Sequence, residues 1–151
     1  MEPLAIKSPC KVNLGLKILN QRKDGYHNIL SIFIELNFCD HLDFSPSNEL
    51  VIKFNNVKII KSNSIQHAVD IISEYCNIDV KYRINIDKRI PIGGGLGGGS
   101  SNAAHTLIAL NKLYSLNLSN IILENPSIVP VSKYGSVPVK IIANHPKITT
   151  R

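Results

Sequence analysis

The chain has 151 residues, of which 44% are hydrophobic, and it carries a formal net charge of +6. This content is enough for a hydrophobic core and excludes a chain that is disordered throughout. Lys and Arg residues are scattered rather than clustered, so the basic balance favours a phosphorylated small molecule over nucleic acid. The three cysteines form no CxxC pair, which argues against a disulfide framework or a zinc site. We expect no membrane association, because no signal peptide or run of about 18 apolar residues is present.

The first half of the chain reads as short β-strands. Apolar residues alternate from Val12 to Ile18, which predicts a strand with one apolar face. The polar stretch that follows ends in Asp24-Gly25, a turn signal. Residues 29–38, 42–44 and 50–54 are rich in β-forming side chains and predict three further strands.

Two helices and another strand are predicted in the second half. Apolar residues from Ile65 to Cys76, including Tyr75, repeat at helical spacing, and residues 62–64 offer caps. Residues 80–86 alternate and predict a strand. Residues 103–114 predict a second helix with an apolar face, giving an α+β fold. Four of the eight prolines lie in the last 26 residues, so we expect a domain over residues 1–118 and a poorly ordered tail over 119–151.

A glycine-rich segment lies between the predicted strand and the second helix. Six of the nine glycines fall within residues 93–99, here called the glycine loop. Glycines let the backbone approach a ligand, and a loop that opens a helix adds free N–H groups, so the pattern predicts phosphate binding. The loop lacks the Lys of a Walker motif. It also lacks the acidic residue that a dinucleotide-binding fold requires about twenty positions further along the chain.

Three segments resemble the GHMP kinases, a family that includes galactokinase, homoserine kinase and mevalonate kinase. Residues 91–103 are similar to the family's ATP-phosphate motif. Ser8 to Leu14 and Arg22 to His27 are similar to motifs of the member that acts on a CDP-linked methylerythritol in non-mevalonate isoprenoid synthesis. The resemblance covers residues 5–118 and implies the family's N-terminal domain, a mixed sheet with helices packed on it.

The resemblance also implies site residues and ligands. Lys11 is the implied catalytic residue, and Asn13, Tyr26 and His27 are the implied substrate-binding residues. Asp40 and Asp43 are interpreted as structural. The implied bound molecules are ATP, Mg²⁺ and the CDP-linked substrate, and the resemblance does not assign the residues that coordinate the metal. The implied location is the cytoplasm of a bacterium. The implied ATP-binding residues are Pro91, Ile92, Gly93, Gly94, Gly95, Leu96, Gly97, Gly98, Gly99, Ser100 and Ser101.

The sequence departs from the family near its end. Residues 134–138 are similar to the motif that holds the family's catalytic Asp, but the Asp is missing, and the chain ends at Arg151. We therefore expect the family's C-terminal domain to be absent. Three interpretations stay open: a kinase that phosphorylates the substrate's 2-hydroxyl, an inactive remnant that at most binds nucleotide, and a basic RNA-binding module.

Overall fold

A computed structural model describes residues 2–21, 23, 25, 27–55 and 63–119. In chain order the elements within them are β1 (Leu4–Gln21), β2 (His27–Pro46), β3 (Val51–Asn55), α1 (Ser64–Cys76), β4 (Tyr82–Asp87) and α2 (Gly98–Leu113). The four strands of these described residues form one sheet in the order β1-β2-β4-β3. β3 runs parallel to β4, and the other two pairs are antiparallel, so the sheet is mixed, as predicted.

The core lies between the sheet and the two helices. In β4, Tyr82, Ile84 and Ile86 are buried, in agreement with the predicted alternation. From α2, Leu107 and Leu110 enter the same apolar cluster. Neither described helix is long and apolar enough to cross a membrane.

Helix α1 follows the predicted pattern except at one position. Asn63 is the N-cap, and its side chain accepts a hydrogen bond from the Gln66 backbone N–H at 2.8 Å. Ile65 and Ile72 are buried, but Tyr75 is exposed, contrary to the prediction. Tyr75 lies about 80° from Ile65 around the helix axis, at the edge of the apolar stripe, so it does not reach the core.

Strands β1 and β2 are longer and less regular than predicted. β2 runs without interruption from His27 to Pro46, because its pairing with β1 continues where the sequence suggested a break. The prediction that Val12, Leu14, Leu16 and Ile18 share one face is wrong. Gly15 adopts a φ of 66° inside a register shift, so Leu14 lies opposite Ile32 while Leu16 lies opposite Ser31. Neighbours on β2 face opposite sides, so this bulge reverses the face of β1.

Several predictions fall outside the described residues. One is the tail from residue 120 to 151, together with the segment 134–138 that resembles the catalytic-Asp motif. The others concern Asp24 of the predicted turn and Tyr26, an implied substrate-binding residue. The predicted domain boundary at residue 118 therefore stays a prediction.

Candidate nucleotide-binding site

The glycine loop alternates between two backbone conformations. Gly93, Gly95 and Gly97 have φ values of 77°, 71° and 72°, while Gly94 does not share this left-handed conformation. Residues with side chains rarely adopt such values, which explains the glycines at these three positions. Alternation of left- and right-handed residues is the backbone pattern of concavities that bind anions. Left-handed residues at every second position are thus a feature that the glycine loop shares with phosphate-binding nests.

Helix α2 begins inside the glycine-rich segment. Gly97 is its N-cap and provides no side-chain hydrogen bond, so the first-turn N–H groups are not capped by that residue. Gly98 and Gly99 form the first turn, followed by Ser100 and Ser101. The positive end of the helix dipole and these N–H groups favour an anion at this position.

Lys11 contacts the glycine loop through both its backbone and its side chain. Its backbone N–H donates to the Leu96 carbonyl at 3.0 Å, and its Nζ donates to the Gly95 carbonyl at 2.9 Å. A Cβ at Gly97 would lie 3.2 Å from Lys11 Cε, so glycine there lets the lysine lie against the loop. The structure thus places the implied catalytic lysine beside the implied phosphate site.

The implied substrate residues are divided between two places. Asn13 lies beside Lys11, whose Nζ donates to Asn13 Oδ1 at 2.8 Å. His27 is exposed at the start of β2, eight residues from Glu35, which pairs with Lys11. At about 3.3 Å per residue, that spacing puts His27 roughly 26 Å along the strand from Lys11. Asn13 is therefore part of the Lys11 site in this structure, and His27 is not.

Asp40 is a buried acid that sequence reasoning treated as structural without finding its role. Its Oδ1 accepts hydrogen bonds from the backbone N–H groups of Arg89 and Ile90 at 2.7 and 2.8 Å. Its Oδ2 accepts from Lys88 Nζ at 2.6 Å and from Asn102 Nδ2 at 2.9 Å. Burial opposes ionisation, but the bonds from Lys88, the two backbone N–H groups and Asn102 outweigh it and hold the pKa of Asp40 below its usual value.

A signal for Asp40 was present in the sequence. Asp40, Leu42 and Phe44 are spaced two residues apart, so they share one face of a strand, and all three are buried. An acid on the apolar face of a strand is rarely fully buried unless it is paired. The partners themselves, near residues 88–102, could not be identified from this pattern.

The two cations upstream of the loop have different roles. Lys88 is almost buried and is bonded to Asp40 and to the Ile90 carbonyl at 2.6 Å. Arg89 is half exposed and pairs with Asp87 at 2.8 Å. Of the cations Lys11, Lys88 and Arg89, Lys11 is the one whose side chain donates a hydrogen bond to a residue of the glycine loop.

Ser101, the second serine after the glycine loop, contacts β1 and the next turn of α2. Ser8 is fully buried and donates to Ser101 Oγ at 2.9 Å. His105 Nδ1 lies 2.9 Å from the Ser101 carbonyl, which can accept a hydrogen bond from a protonated Nδ1. Ser100 is buried in the first turn of α2. The Ser8–Ser101 bond is thus another point where β1 is tied to the start of α2.

A separate cleft of about 490 Å³ lies between the β1–β2 strands and α2. Lys7, Glu35, Cys39 and His105 are among its lining residues, and no residue of the glycine loop lines it. The cleft is therefore distinct from the glycine loop. Within the described part of the chain, no group of three His, Cys, Asp or Glu side chains could hold a metal ion.

Comparison with known proteins identifies the class. The family described as GHMP kinases N terminal domain matches residues 63–127. The mixed sheet, the two helices and the glycine loop at the start of α2 are the fold of that domain. Over these residues the chain is therefore similar to the N-terminal domain of the GHMP kinases.

Within that class, the chain resembles the N-terminal part of 4-diphosphocytidyl-2-C-methyl-D-erythritol kinase. It is 43% identical over 117 residues to that enzyme from Prochlorococcus marinus (strain MIT 9312), which is 75% of this chain and 38% of the relative. It is 41% identical over 128 residues to the Polynucleobacter asymbioticus enzyme, covering 82% of this chain and 43% of the relative. A crystal structure of 4-(cytidine 5'-diphospho)-2C-methyl-D-erythritol kinase superposes with a TM-score of 0.66 at 35% identity, over 80% of this chain and 44% of that one. The chain thus spans less than half the length of these relatives.

Proposed function

We propose that this domain binds the phosphates of ATP with residues 91–101. We propose further that it takes part in transferring the γ-phosphate to the 2-hydroxyl of 4-diphosphocytidyl-2-C-methyl-D-erythritol. The observation that carries the proposal is the glycine loop, with three left-handed glycines leading directly into the N-terminus of α2. Relatives named as kinases of this substrate supply the reaction. Because the chain spans less than half of them, the whole reaction is proposed rather than assigned.

Lys11 is proposed to stabilise charge on the transferring phosphoryl group. A lysine ammonium has three N–H donors, and contacts with Gly95 and Asn13 use two of them. The third can bond a phosphate oxygen or the substrate hydroxyl. Since the Gly95 contact fixes the ammonium beside the glycine loop, its charge is already positioned where negative charge develops.

Substrate binding is proposed to involve Asn13, Tyr26 and His27. Asn13 orients the Lys11 ammonium and can also bond the substrate's polar groups. For His27 to reach the same ligand, the β1–β2 hairpin must bend toward the loop. Register shifts occur between Leu14 and Leu16 and between Ile18 and Gln21, and bulges of this kind bend a two-stranded ribbon.

Binding of Mg²⁺ stays a prediction, and none of the described residues is assigned as a ligand of the metal. Mg²⁺ is usually held by one or two carboxylates together with substrate phosphates. Asp40, the carboxylate bonded beside the loop, already accepts four hydrogen bonds from the protein. Asp40 is therefore not available as a magnesium ligand, and no step is assigned to the metal.

A second candidate is nucleotide binding without turnover. Phosphoryl transfer to an alcohol uses an acid group to orient or deprotonate the hydroxyl. Among the described residues, the hydrogen-bond partners of the Lys11 ammonium are an amide and a backbone carbonyl rather than a carboxylate. Release of ADP in the presence of the CDP-linked substrate separates the two candidates.

The test of ATP binding uses two glycine variants with matched backbone strain. Gly95 and Gly15 both have left-handed φ values, and at both a Cβ would meet nothing within 4 Å. Alanine costs about 1–2 kcal/mol in this conformation, so the free loop of Gly95→Ala should relax out of it. Because ATP must then restore the conformation, its binding should be weakened about tenfold by calorimetry. Gly15→Ala should leave ATP affinity unchanged. The proposal fails if the 151-residue protein binds no ATP, or if both variants behave alike.

A further inference from the structure

One buried carboxylate is bonded to the chain on both sides of the glycine loop. Asp40 contacts residues 88–90 before the loop and Asn102 after it. We infer that Asp40 is a positioning residue that holds the two ends of the phosphate-binding loop at a fixed separation. The inference rests on the proposed function and deepens it, because it names what sets the geometry of the ATP site.

The upstream end is held by three hydrogen bonds. Both backbone N–H groups, of Arg89 and Ile90, converge on Oδ1, which stops the chain from continuing as a strand beyond β4. Lys88 folds back, so that its ammonium bonds both Asp40 and the Ile90 carbonyl at 2.6 Å. The chain therefore enters Pro91 and the glycine loop from a position fixed by Asp40.

The downstream end is held through the first turns of α2. Asn102 is buried, and its amide nitrogen donates to Asp40 Oδ2 at 2.9 Å. Asn102 also belongs to the helix itself, where its carbonyl accepts from Thr106 Oγ1 at 2.8 Å. Because α2 is rigid, fixing Asn102 fixes the helix N-terminus, where the anion is proposed to bind.

Gly98 leaves the space that this arrangement needs. A Cβ on Gly98 would lie 2.8 Å from Ile90 Cγ2 and 3.2 Å from Lys88 Nζ. A side chain there would press on both the upstream segment and the ammonium bonded to Asp40. Glycine is thus required at position 98 because a side chain would collide with the residues around Asp40. At Gly93 and Gly95 glycine is required because the backbone is left-handed.

Asp40 acts at a distance from any ligand. Its side chain has no exposed surface, and both of its oxygens accept hydrogen bonds from neighbouring protein groups. It can therefore influence nucleotide only through the loop. Buried acids of this kind, when fully hydrogen-bonded, restrict the local backbone to one arrangement.

The experiment compares three variants of the 151-residue protein. Asp40→Asn keeps size but places an amide N–H against Lys88 and Asn102. Asn102→Ala removes only the hydrogen bond from Asn102 to Asp40. This variant tests the inference if Asp40→Asn does not fold. Asp43→Asn is the control, since Asp43 is exposed on the same strand three residues away.

Two readouts decide the inference. Calorimetry should show that Asp40→Asn and Asn102→Ala each weaken ATP binding at least tenfold, while Asp43→Asn does not. Amide hydrogen exchange by mass spectrometry should be accelerated at least tenfold more over residues 91–99 than over β4 residues 82–87 in the same two variants, because loss of the Asp40 network also lowers the stability of the whole fold. Equal acceleration in β4 and in the loop would indicate a general stability role alone and would overturn the inference.

The outcomes also separate the inference from the proposed function. If the unaltered protein binds no ATP, the proposed function fails, and exchange over residues 91–99 still decides the role of Asp40. If the unaltered protein binds ATP and the variants match it in affinity and exchange, the inference fails while the proposed function stands.

Discussion

Strands β1 and β2 are paired along their whole length, yet their two halves differ in surroundings. In the inner half, residues 4–10 and 36–46, the side chains of Ser8, Cys10, Asp40, Leu42 and Phe44 are buried. In the outer arm, residues 11–21 and 27–35, most large apolar side chains are exposed. They are Leu14, Leu16, Ile18, Leu19, Leu30, Ile32, Phe33 and Ile34.

The difference teaches that strand pairing alone does not create a core here. β4 pairs with β2 only from His41 to Pro46, and α2 covers the inner half. The outer arm is a two-stranded ribbon, and such ribbons are marginally stable in water. Lys11 lies at the boundary, so the proposed chemistry takes place where the supported half ends.

The largest contrast is expected between two adjacent cations. Lys88→Met leaves the Asp40 charge buried without its partner and should lower the free energy of unfolding by about 3–5 kcal/mol. Arg89→Met breaks an exposed pair with Asp87 and should cost at most about 1 kcal/mol. Urea unfolding followed by circular dichroism measures both. Equal costs would mean that the Asp40 network does not stabilise the inner half.

The same network predicts acid sensitivity. The folded pKa of Asp40 lies below its unfolded value of about 3.9, so its ionised form stabilises the fold above that pH. That stability is lost as the pH falls from about 4 through the folded pKa. Asp40→Asn should therefore show a shallower decline in unfolding free energy below about pH 4. Asp43→Asn controls for the loss of one negative charge, and an unaltered slope in Asp40→Asn contradicts the prediction.

A matched pair of isoleucines tests the comparison directly. Ile84 is fully buried in β4, whereas Ile32 in the outer arm is 66% exposed. Ile84→Ala should cost about 2–4 kcal/mol through lost burial and the cavity it leaves. Ile32→Ala should change stability by less than about 0.5 kcal/mol. A large cost at Ile32, measured by thermal unfolding, would show that something packs on the outer arm.

The smallest contrast is expected between two glycines in the first turn of α2. At Gly98 a Cβ would lie 2.8 Å from Ile90 Cγ2, so Gly98→Ala should destabilise by about 1–3 kcal/mol. At Gly99 the nearest atom is Ser64 Oγ at 3.5 Å, an ordinary contact. Gly99→Ala should be neutral or stabilise by up to about 1 kcal/mol, because alanine favours helix. Similar denaturant midpoints for the two variants would contradict the close packing at Gly98.

The sequence predicted the parts of the fold that depend on local pattern. The apolar spacing of α1, its cap at Asn63 and the alternation of β4 are all determined by neighbouring residues, and the structure agrees. The glycine loop was likewise predicted at the start of a helix. Contact of Lys11 with the loop was not predicted from residues alone, and only the resemblance brought Lys11 into the site.

What the sequence missed depends on partners far along the chain. Asp40 is hydrogen-bonded to Arg89, which is 49 positions away in the sequence, and to Asn102, which is 62 positions away. No local pattern identifies such distant partners. The bulge at Gly15 was missed because the apolar alternation continues through it, although the pairing with β2 shifts by one residue. Gly15 can adopt the left-handed conformation of this bulge without strain, but the sequence alone does not show that it does so.

The side-chain hydrogen bonds that join β1 to the glycine loop and to α2 have a consequence for how the protein folds during synthesis. Ser8 and Ser101 are 93 residues apart, and Lys11 and Gly95 are 84 apart. At about 5–20 residues per second, a ribosome releases the first strand roughly 5–20 seconds before the loop that it must meet. Contacts with such long separations carry a high loop-closure entropy and form late. During that interval the apolar residues of the outer arm are exposed on a nascent chain, where they are available to a chaperone or to aggregation.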